Sequence, residues 1–446
     1  MTTANISYND NLESCDIHGC TALINLKCIS DPSLSTFNVS GNTALKELRC
    51  YYDNYLMTIT GLADCTALTY LDCEDDAITD LSAVNSLPNI TNFFCSNNRL
   101  TSLTLTNKSK LSVVWANTNP LMTTAYIYNN PMLSSIDISD CVHLDVLRCY
   151  DNILSTLKLS GSTNLYELNC KNNRLTSLDL SRFSDLNYLY ANNNQLTSLL
   201  LASNSALVVM NCEKNQLTSL NVSGCTNLEK LYCYENKLTS LSVSNNTKLQ
   251  QLYCQNNQLT SLNVSGKTSL RYLSCEINRL TSLNVQGCSN LENMSCHNNQ
   301  LTSLYVQGCN ALKYLSCYQN RITDAGMTTL VNSLPNRSTS MTKGELRALY
   351  NTGESNVCTN AHVAAANAKN WWPKRYNGSS WINMETVTAG DVNGDGELNL
   401  TDVTTLLTLI LNEGPSASSY PAGDYNGDGV INLTDVTMLL TYILNS

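Results

Sequence analysis

Leu, Cys and a second run of Leu and Val recur along most of the chain at a long fixed interval. From about Leu23 to Cys317 the chain repeats L-x-x-L-x-C-x-x-N-x-L-T-S-L-x-V-S-G-x-T-x. Leu228, Leu231, Cys233, Asn236, Leu238, Leu241 and Val243 form one copy, and Leu249 opens the next after 21 residues. Leu231 and Cys233 alternate, so both point inward from one strand and pack against neighbouring coils. Asn236 falls where the chain must turn, and its amide can satisfy turn backbone groups, so stacked copies predict an asparagine ladder. Leu238, Leu241 and Val243 then return along the other side. Such a coil leaves little room for a helix, so the return predicts short extended or 3₁₀ pieces. Each coil buries its apolar side only against its neighbours, so both ends need caps.

The period divides the chain. From Cys149 it holds without error, with Ala191 in place of one cysteine, whereas earlier copies run 21 to 23 residues and Ala116 is another replacement. Between Ala116 and Tyr128 the segment NTNPLMTTAYIY reads as a shortened copy. Residues 323–385 predict an α/β cap: a helix over DAGMTTLVNSLP, a strand over GELRALY, an Ala-rich helix over TNAHVAAANAKNWW and a strand over KRYNGSSWI. The expected domains are a solenoid over 1–322, the cap over 323–385 and a third module over 386–446.

Twenty cysteines suggest a disulfide framework only until their spacing is read. Twelve of them, from Cys28 to Cys317, share one repeat position, and six more lie eight residues before one of those. Cysteine used this way is a small buried hydrophobe, so free packed thiols are expected, and no spacing of ligand pairs suits zinc. The repeat resembles the leucine-rich-repeat family in a short bacterial form with Cys at the third strand position. That resemblance implies a mainly β solenoid, a right-handed coil with a parallel concave sheet.

Relative to each cysteine, the residues at −3, −1 and +1 face solvent on that concave sheet. Tyr51, Tyr70, Tyr150, Tyr188, Tyr190, Tyr232, Tyr234, Tyr253, Tyr272, Tyr314 and Tyr318 fall there, eleven of the chain's 23 tyrosines. Phe94 and Trp115 join them. Strand propensity favours tyrosine on any pleated surface. Its combination of contact area and a polar tip also suits a binding face. Acids and bases nearly balance along the strip, which argues against a strongly charged ligand; a protein or peptide fits the extended sheet, with a glycan stacked on tyrosines as the alternative.

The formal charge of −10 belongs mostly to one end. No Lys or Arg follows Arg375, while Asp391, Asp395, Glu397, Asp402, Glu413, Asp424, Asp428 and Asp435 contribute −8. No basic stripe supports nucleic-acid binding. Two segments, DVNGDGELNLTD (391–402) and DYNGDGVINLTD (424–435), explain the acidity. Hard cations take six to eight oxygens, and loops of this spacing supply them from positions 1, 3, 5, 7, 9 and 12. The first loop offers Asp391, Asn393, Asp395, the Glu397 carbonyl, Asn399 and Asp402; the second offers Asp424, Asn426, Asp428, the Val430 carbonyl, Asn432 and Asp435. Gly396 and Gly429 hold the sharp-turn position. Two calcium ions are expected.

The loop pair resembles a type I dockerin, with Asp at position 12 and one helix after each loop. The resemblance implies a small all-α calcium-loop domain and a cohesin-type partner on a scaffold or cell surface. The family's partner-facing positions fall on Leu400, Thr401, Leu433 and Thr434, with Leu407, Thr408, Leu440 and Thr441 further along. The near-identity of the halves implies that either can face the partner.

These features predict an adhesion protein outside the cell or on its surface, with the solenoid binding a target and the module anchoring it. A carbohydrate-binding or purely structural part in a polysaccharide-degrading complex is the alternative. An enzyme is not expected: a glycoside hydrolase needs two carboxylates about 5–9 Å apart in a pocket, and Asp72, Glu74, Glu167, Glu213 and Glu276 come from a repetitive scaffold. His297 reads as a polar contact without a nucleophile partner. MTTANISYND has no apolar core, so an exported chain requires a targeting segment outside this sequence. LLTLIL is too short to span a bilayer, so no membrane span is expected.

Overall fold

The computed structural model describes residues 1–384, 389–393, 397–413 and 420–445. The chain forms two compact units, Met1–Leu249 and Gln250–Ser446. Both are built from coils whose strands pair in parallel with the same strand of the next coil.

In the first unit one sheet starts with Thr3–Asn5, Asn25–Ile29, Glu47–Tyr51, Tyr70–Asp72, Asn92–Phe94 and Val113–Trp115. These are the L-x-C strands of the early copies, and Cys28 lies opposite Cys50 in register. Ser135–Asp137 and Thr156–Lys158 then extend the same sheet. They come from the returning half of the later copies. A second sheet does the reverse. It begins with the returning segment Ser102–Thr106, passes through Thr124–Tyr128, and continues with the L-x-C strands Val146–Arg148, Glu167–Asn169, Tyr188–Tyr190, Val209–Asn211 and Lys230–Tyr232. The motif therefore changes sheets near residue 120.

The cause is the segment expected to be a shortened copy. It is half a coil. Ile127 takes the cysteine position only eleven residues after Ala116, about half of the 21–23-residue period. Asn152 Nδ2 donates to the carbonyls of Cys149 and Ile127, both at 2.8 Å, as a ladder asparagine does to two successive cysteines. Met122, Ala125, Ile127 and Leu133 are fully buried there, so the core tolerates the slip.

The ladders follow the sheets. Asn236 Nδ2 donates to the Cys212 and Cys233 carbonyls at 3.0 and 3.1 Å, and its Oδ1 accepts from Leu217 N at 3.0 Å. The residue before each ladder Asn takes the left-handed backbone, as at Asn172, Asn193 and Glu235, which lets the chain turn while the amide stays buried. On the other turn, the cysteines that lie eight residues earlier do similar work. Cys141 Sγ donates to Ala116 O at 3.3 Å and Ser162 Oγ to Ile138 O at 2.7 Å. They are hydrogen-bond donors as well as small hydrophobes. Phe183 interrupts this column with a side chain that cannot donate. There the strands Thr156–Lys158 and Ser177–Asp179 fall in separate sheets, and a cavity of about 540 Å³ opens beside them.

In the second unit Gln251–Tyr253, Tyr272–Ser274, Asn293–Ser295 and Tyr314–Ser316 form a parallel ladder. Gly344–Leu349 and Trp371–Tyr376 extend it in parallel, and Trp381–Asn383 closes it as an antiparallel edge. Helices α1 (Asp324–Ser333) and α2 (Asn360–Ala368) alternate with these strands. His362 joins the helices: its Nδ1 accepts from Thr359 N at 3.0 Å, so in the neutral ring Nε2 carries the proton and faces Thr328 Oγ1 at 2.9 Å. Asn356 supplies a ladder rung from outside the repeat, donating to Cys317 O and Ala348 O at 2.9 Å each. Trp371 is fully buried, and a Cβ on Gly344 would lie 2.5 Å from its ring.

Helices α3 (Leu400–Glu413) and α4 (Leu433–Asn445) pack around Val403, Leu406, Ile431, Val436 and Leu439. Leu407 and Leu440 pack against this core, so their side chains serve the fold before any partner. The twenty cysteines are free thiols, and all but Cys20 and Cys358 are buried. Burial raises the pKa of Cys170 and of Cys212 to about 12.

Candidate functional site

The expected single tyrosine strip is two strips in the first unit, because the motif changes sheets. Trp115 lies on the sheet of the early copies, 42% exposed, with its ring 4.8 Å from Phe94; Phe94 in turn contacts Tyr70 at 5.4 Å. Tyr150, Tyr188, Tyr190, Tyr232 and Tyr234 are carried by the other sheet. Grouping Trp115 with them is thus corrected: the half-coil turned the later motif strands onto the second sheet.

On that second sheet the tyrosines are half-buried, standing on the pleat with their edges in solvent. Tyr150 stacks on Tyr128 at 4.4 Å between centroids, and Lys171 lies 5.0 Å over its ring. Tyr126 and Tyr128 were not among the expected residues. The signal was present in the spacing of Ala125, Ile127 and Asn130, which match Leu, Cys and Asn of the motif.

In the second unit Tyr253, Tyr272, Tyr314 and Tyr318 are likewise half-buried on one sheet. A stacked column runs from His297 through Tyr318 and Tyr350 to Tyr376, with centroids 4.3, 5.2 and 4.8 Å apart, and Trp381 leans on Tyr318 and Tyr376. Burial, and then the nearby Arg347, holds the His297 pKa down at about 4, so the ring is neutral near pH 7. Tyr350, Tyr376 and Trp381 come from the cap and carry no repeat signal. A cavity of about 360 Å³ lies on this sheet, lined in part by Tyr253, Tyr272, Tyr314, Ser274, Asn293 and Ser295.

The acidic loops are built around their first and last residues. Asp402 is fully buried; its Oδ1 accepts from Val392 N and Asn393 N at 2.8 and 3.1 Å, and its Oδ2 from Asn399 N at 3.0 Å. Asp435 is also fully buried and accepts from Asn426 N and Asn432 N at 3.1 and 2.9 Å. Asp424 accepts from Asp428 N and Gly429 N at 3.1 and 2.9 Å, so the second loop wraps its opening carboxylate. Gly429 has φ +86°, a left-handed turn that a side chain would strain. Asp391 is buried, whereas Asp395 and Gly396 lie outside the described residues.

Burying carboxylates with no cation is costly, and no Lys or Arg follows Arg375 to offset them. Among the described residues no three His, Cys, Asp or Glu side chains gather as a metal cluster. Asn393, Asn399, Asn426, Asn432 and main-chain carbonyls could supply further oxygens. Such an all-oxygen set suits a hard divalent cation. Leu400, Thr401, Leu433 and Thr434 are exposed at the starts of α3 and α4, with Leu400 57% and Leu433 62% accessible.

Residues 389–444 match the Dockerin type I domain. Type I dockerins bind calcium, and this module is of that class. The solenoid is similar to several solved structures. The functional domain of InlJ from Listeria monocytogenes, described as including a cysteine ladder, is 23% identical with a TM-score of 0.42, covering 82% of this chain and 73% of that one. YopM from Yersinia pestis is 22% identical with a TM-score of 0.40, covering 72% and 84%. A leucine-rich-repeat protein of Leptospira interrogans is 19% identical with a TM-score of 0.40, covering 69% and 87%. No curated protein matches. Among the described residues, no helix is long and apolar enough to cross a membrane.

Proposed function

We propose that this is a binding protein held outside the cell or on its surface, in which the dockerin module anchors the chain to a cohesin while the tyrosine-bearing sheet engages a protein or peptide. The observation that carries the reading is the pairing of an anchoring module with rows of half-buried tyrosines on a regular parallel sheet. Such rings offer contact area that loses little rotamer freedom on binding.

Two calcium ions would be held, one per loop. The first takes Asp391, Asn393, Asp395, the Glu397 carbonyl, Asn399 and Asp402. The second takes Asp424, Asn426, Asp428, the Val430 carbonyl, Asn432 and Asp435. Bound calcium supplies the positive charge that the buried carboxylates lack. The exposed pairs Leu400–Thr401 and Leu433–Thr434 are the cohesin-facing residues, and because the halves nearly repeat, either pair can serve.

The test is capture from secreted and surface fractions of the host, with and without chelator. A cohesin should be captured only with calcium, and a second, chelator-resistant partner should be lost when Tyr188, Tyr190, Tyr232 and Tyr234 are changed to Ala. Retention of that partner by the variant would reduce the solenoid to a spacer.

A further inference from the structure

We infer that the cavity between Tyr272 and Tyr314 is a binding site for one neutral sugar residue. This deepens the reading of the tyrosine sheet as a binding surface, since the cavity belongs to that sheet.

The argument begins with register. Gln251, Tyr272, Asn293 and Tyr314 lie opposite one another on successive strands, and so do Tyr253, Ser274, Ser295 and Ser316. Parallel strands are about 4.8 Å apart, so Tyr272 and Tyr314 stand roughly 10 Å apart with Asn293 between them. That interval leaves room for one ring-sized group between two aromatic walls. The neighbouring column falls from tyrosine to three successive serines, which lowers the floor beside Asn293. The 360 Å³ volume is at the small end of ligand sites.

The lining then selects the chemistry. No charged side chain lines the cavity. The charges beside it are already paired: Glu276 Oε2 accepts from Ser274 Oγ of the floor at 2.6 Å, Arg271 lies 6.0 Å over Tyr272 while bonding Glu292 at 2.8 Å, and Arg347 lies 5.1 Å over Tyr314 and 4.8 Å over Trp381 while bonding Glu345 at 2.6 Å. A charged ligand would therefore meet no free counter-charge. The floor carries hydroxyl and amide groups, which bond hydroxyls and give a hydrocarbon nothing. A pyranose presents C–H faces to flanking rings and a belt of hydroxyls to such a floor. The sugar can belong to a polysaccharide or to the glycan of a glycoprotein; the chemistry read by the cavity is the same.

The test titrates the full chain with cellohexaose, xylohexaose, mannohexaose and maltohexaose, and with a released high-mannose glycan, using calorimetry. At least one neutral probe should bind saturably, and the plant-type and high-mannose arms separate the two sources. Tyr272→Ala and Tyr314→Ala should each weaken binding at least tenfold. Ser295→Phe, which fills the floor, should abolish it. Tyr305→Ala, on an exposed position of the returning segment, should bind as the parent does, and circular dichroism melts establish that each variant is folded. No saturable binding to any neutral probe overturns the inference. So does unchanged affinity in folded Tyr272→Ala and Tyr314→Ala, or binding confined to peptides. Capture of a deglycosylated protein partner through Tyr188 and Tyr232 is measured separately, so the wider reading of the sheet and this site fail independently.

Discussion

Asn119 and Asn130 are eleven residues apart, fully buried, and close strands that belong to different sheets. Asn119 Nδ2 donates to Cys95 O at 3.0 Å, and Asn130 Nδ2 donates to Leu105 O at 3.1 Å. Each continues a ladder on its own turn of the coil. Both turns carry asparagine here, as they do at Asn194 with Asn204 and at Asn236 with Asn246, but here the copies on either side present their motif to opposite sheets.

Removing Asn117–Ile127 joins Ala116 to Tyr128 and restores the x-x-N spacing before Asn130. The shortened chain should fold with a cooperative melt, and Trp115 should come to lie in the sheet that carries Tyr150. Its fluorescence should shift accordingly. Removing only Asn117–Leu121 leaves strand and return out of phase and should abolish the cooperative transition in the same circular dichroism measurement.

The early rungs of the first ladder are acids. Asp53 Oδ1 accepts from Asp31 N and Asp76 Oδ1 from Asp53 N, both at 2.8 Å, while Oδ2 of Asp53 and of Asp76 is buried without a partner. Burial raises the Asp53 pKa to about 7 and the Asp76 pKa to about 8. The folded state then holds protons that the unfolded chain has released, so the contribution of these two groups to stability is full below the ordinary carboxylate range and is lost as pH rises through about 8. The melting temperature should drop between pH 5 and pH 9. Asp53→Asn with Asp76→Asn supplies the amide donors used by later copies, and should raise the melting temperature at pH 8 and flatten the profile. An unchanged pH profile would refute this account.

Asn236 satisfies two buried carbonyls and one buried amide at once. Asn236→Ala leaves them unpaired, and the expected loss is about 3 kcal/mol of unfolding free energy. Urea unfolding of the full chain measures it. Lys237→Ala, one position along, should change stability by less than about 0.5 kcal/mol, as exposed substitutions usually do.

Calcium removal should act on the dockerin module alone. Chelation should loosen the residues around Asp402 and Asp435, seen as faster amide exchange in α3 and α4, while exchange in the coils stays unchanged. Titration should return two ions per chain, and Asp402→Ala or Asp435→Ala should remove one each. A single ion in the parent chain would refute the two-loop assignment.

Most of a coil was legible because each coil repeats its own instructions. Leu231, Cys233, Asn236 and Leu238 state strand, core, turn and return within eight residues. The cap was legible as alternating elements, although Trp371 and Trp372, read as the end of the Ala-rich helix, open a strand, and the final strand became a hairpin of Trp371–Tyr376 and Trp381–Asn383. Thiol donors such as Cys141 could not be read from spacing, because a buried hydrophobe and a buried S–H donor leave the same sequence signature.

The sequence alone determined the period, the inward and outward positions, the two asparagine-rich loops and the acidity of the last module. These are local properties, fixed by side chains within one coil or one loop. Tertiary structure decided which sheet carries each tyrosine, because that depends on phase accumulated along the chain. Eleven residues near Asn119 change the phase by half a coil while the motif positions Ala125, Ile127 and Leu133 still point inward. A motif read locally looks the same on either side; only the stacking of coils shows where it faces.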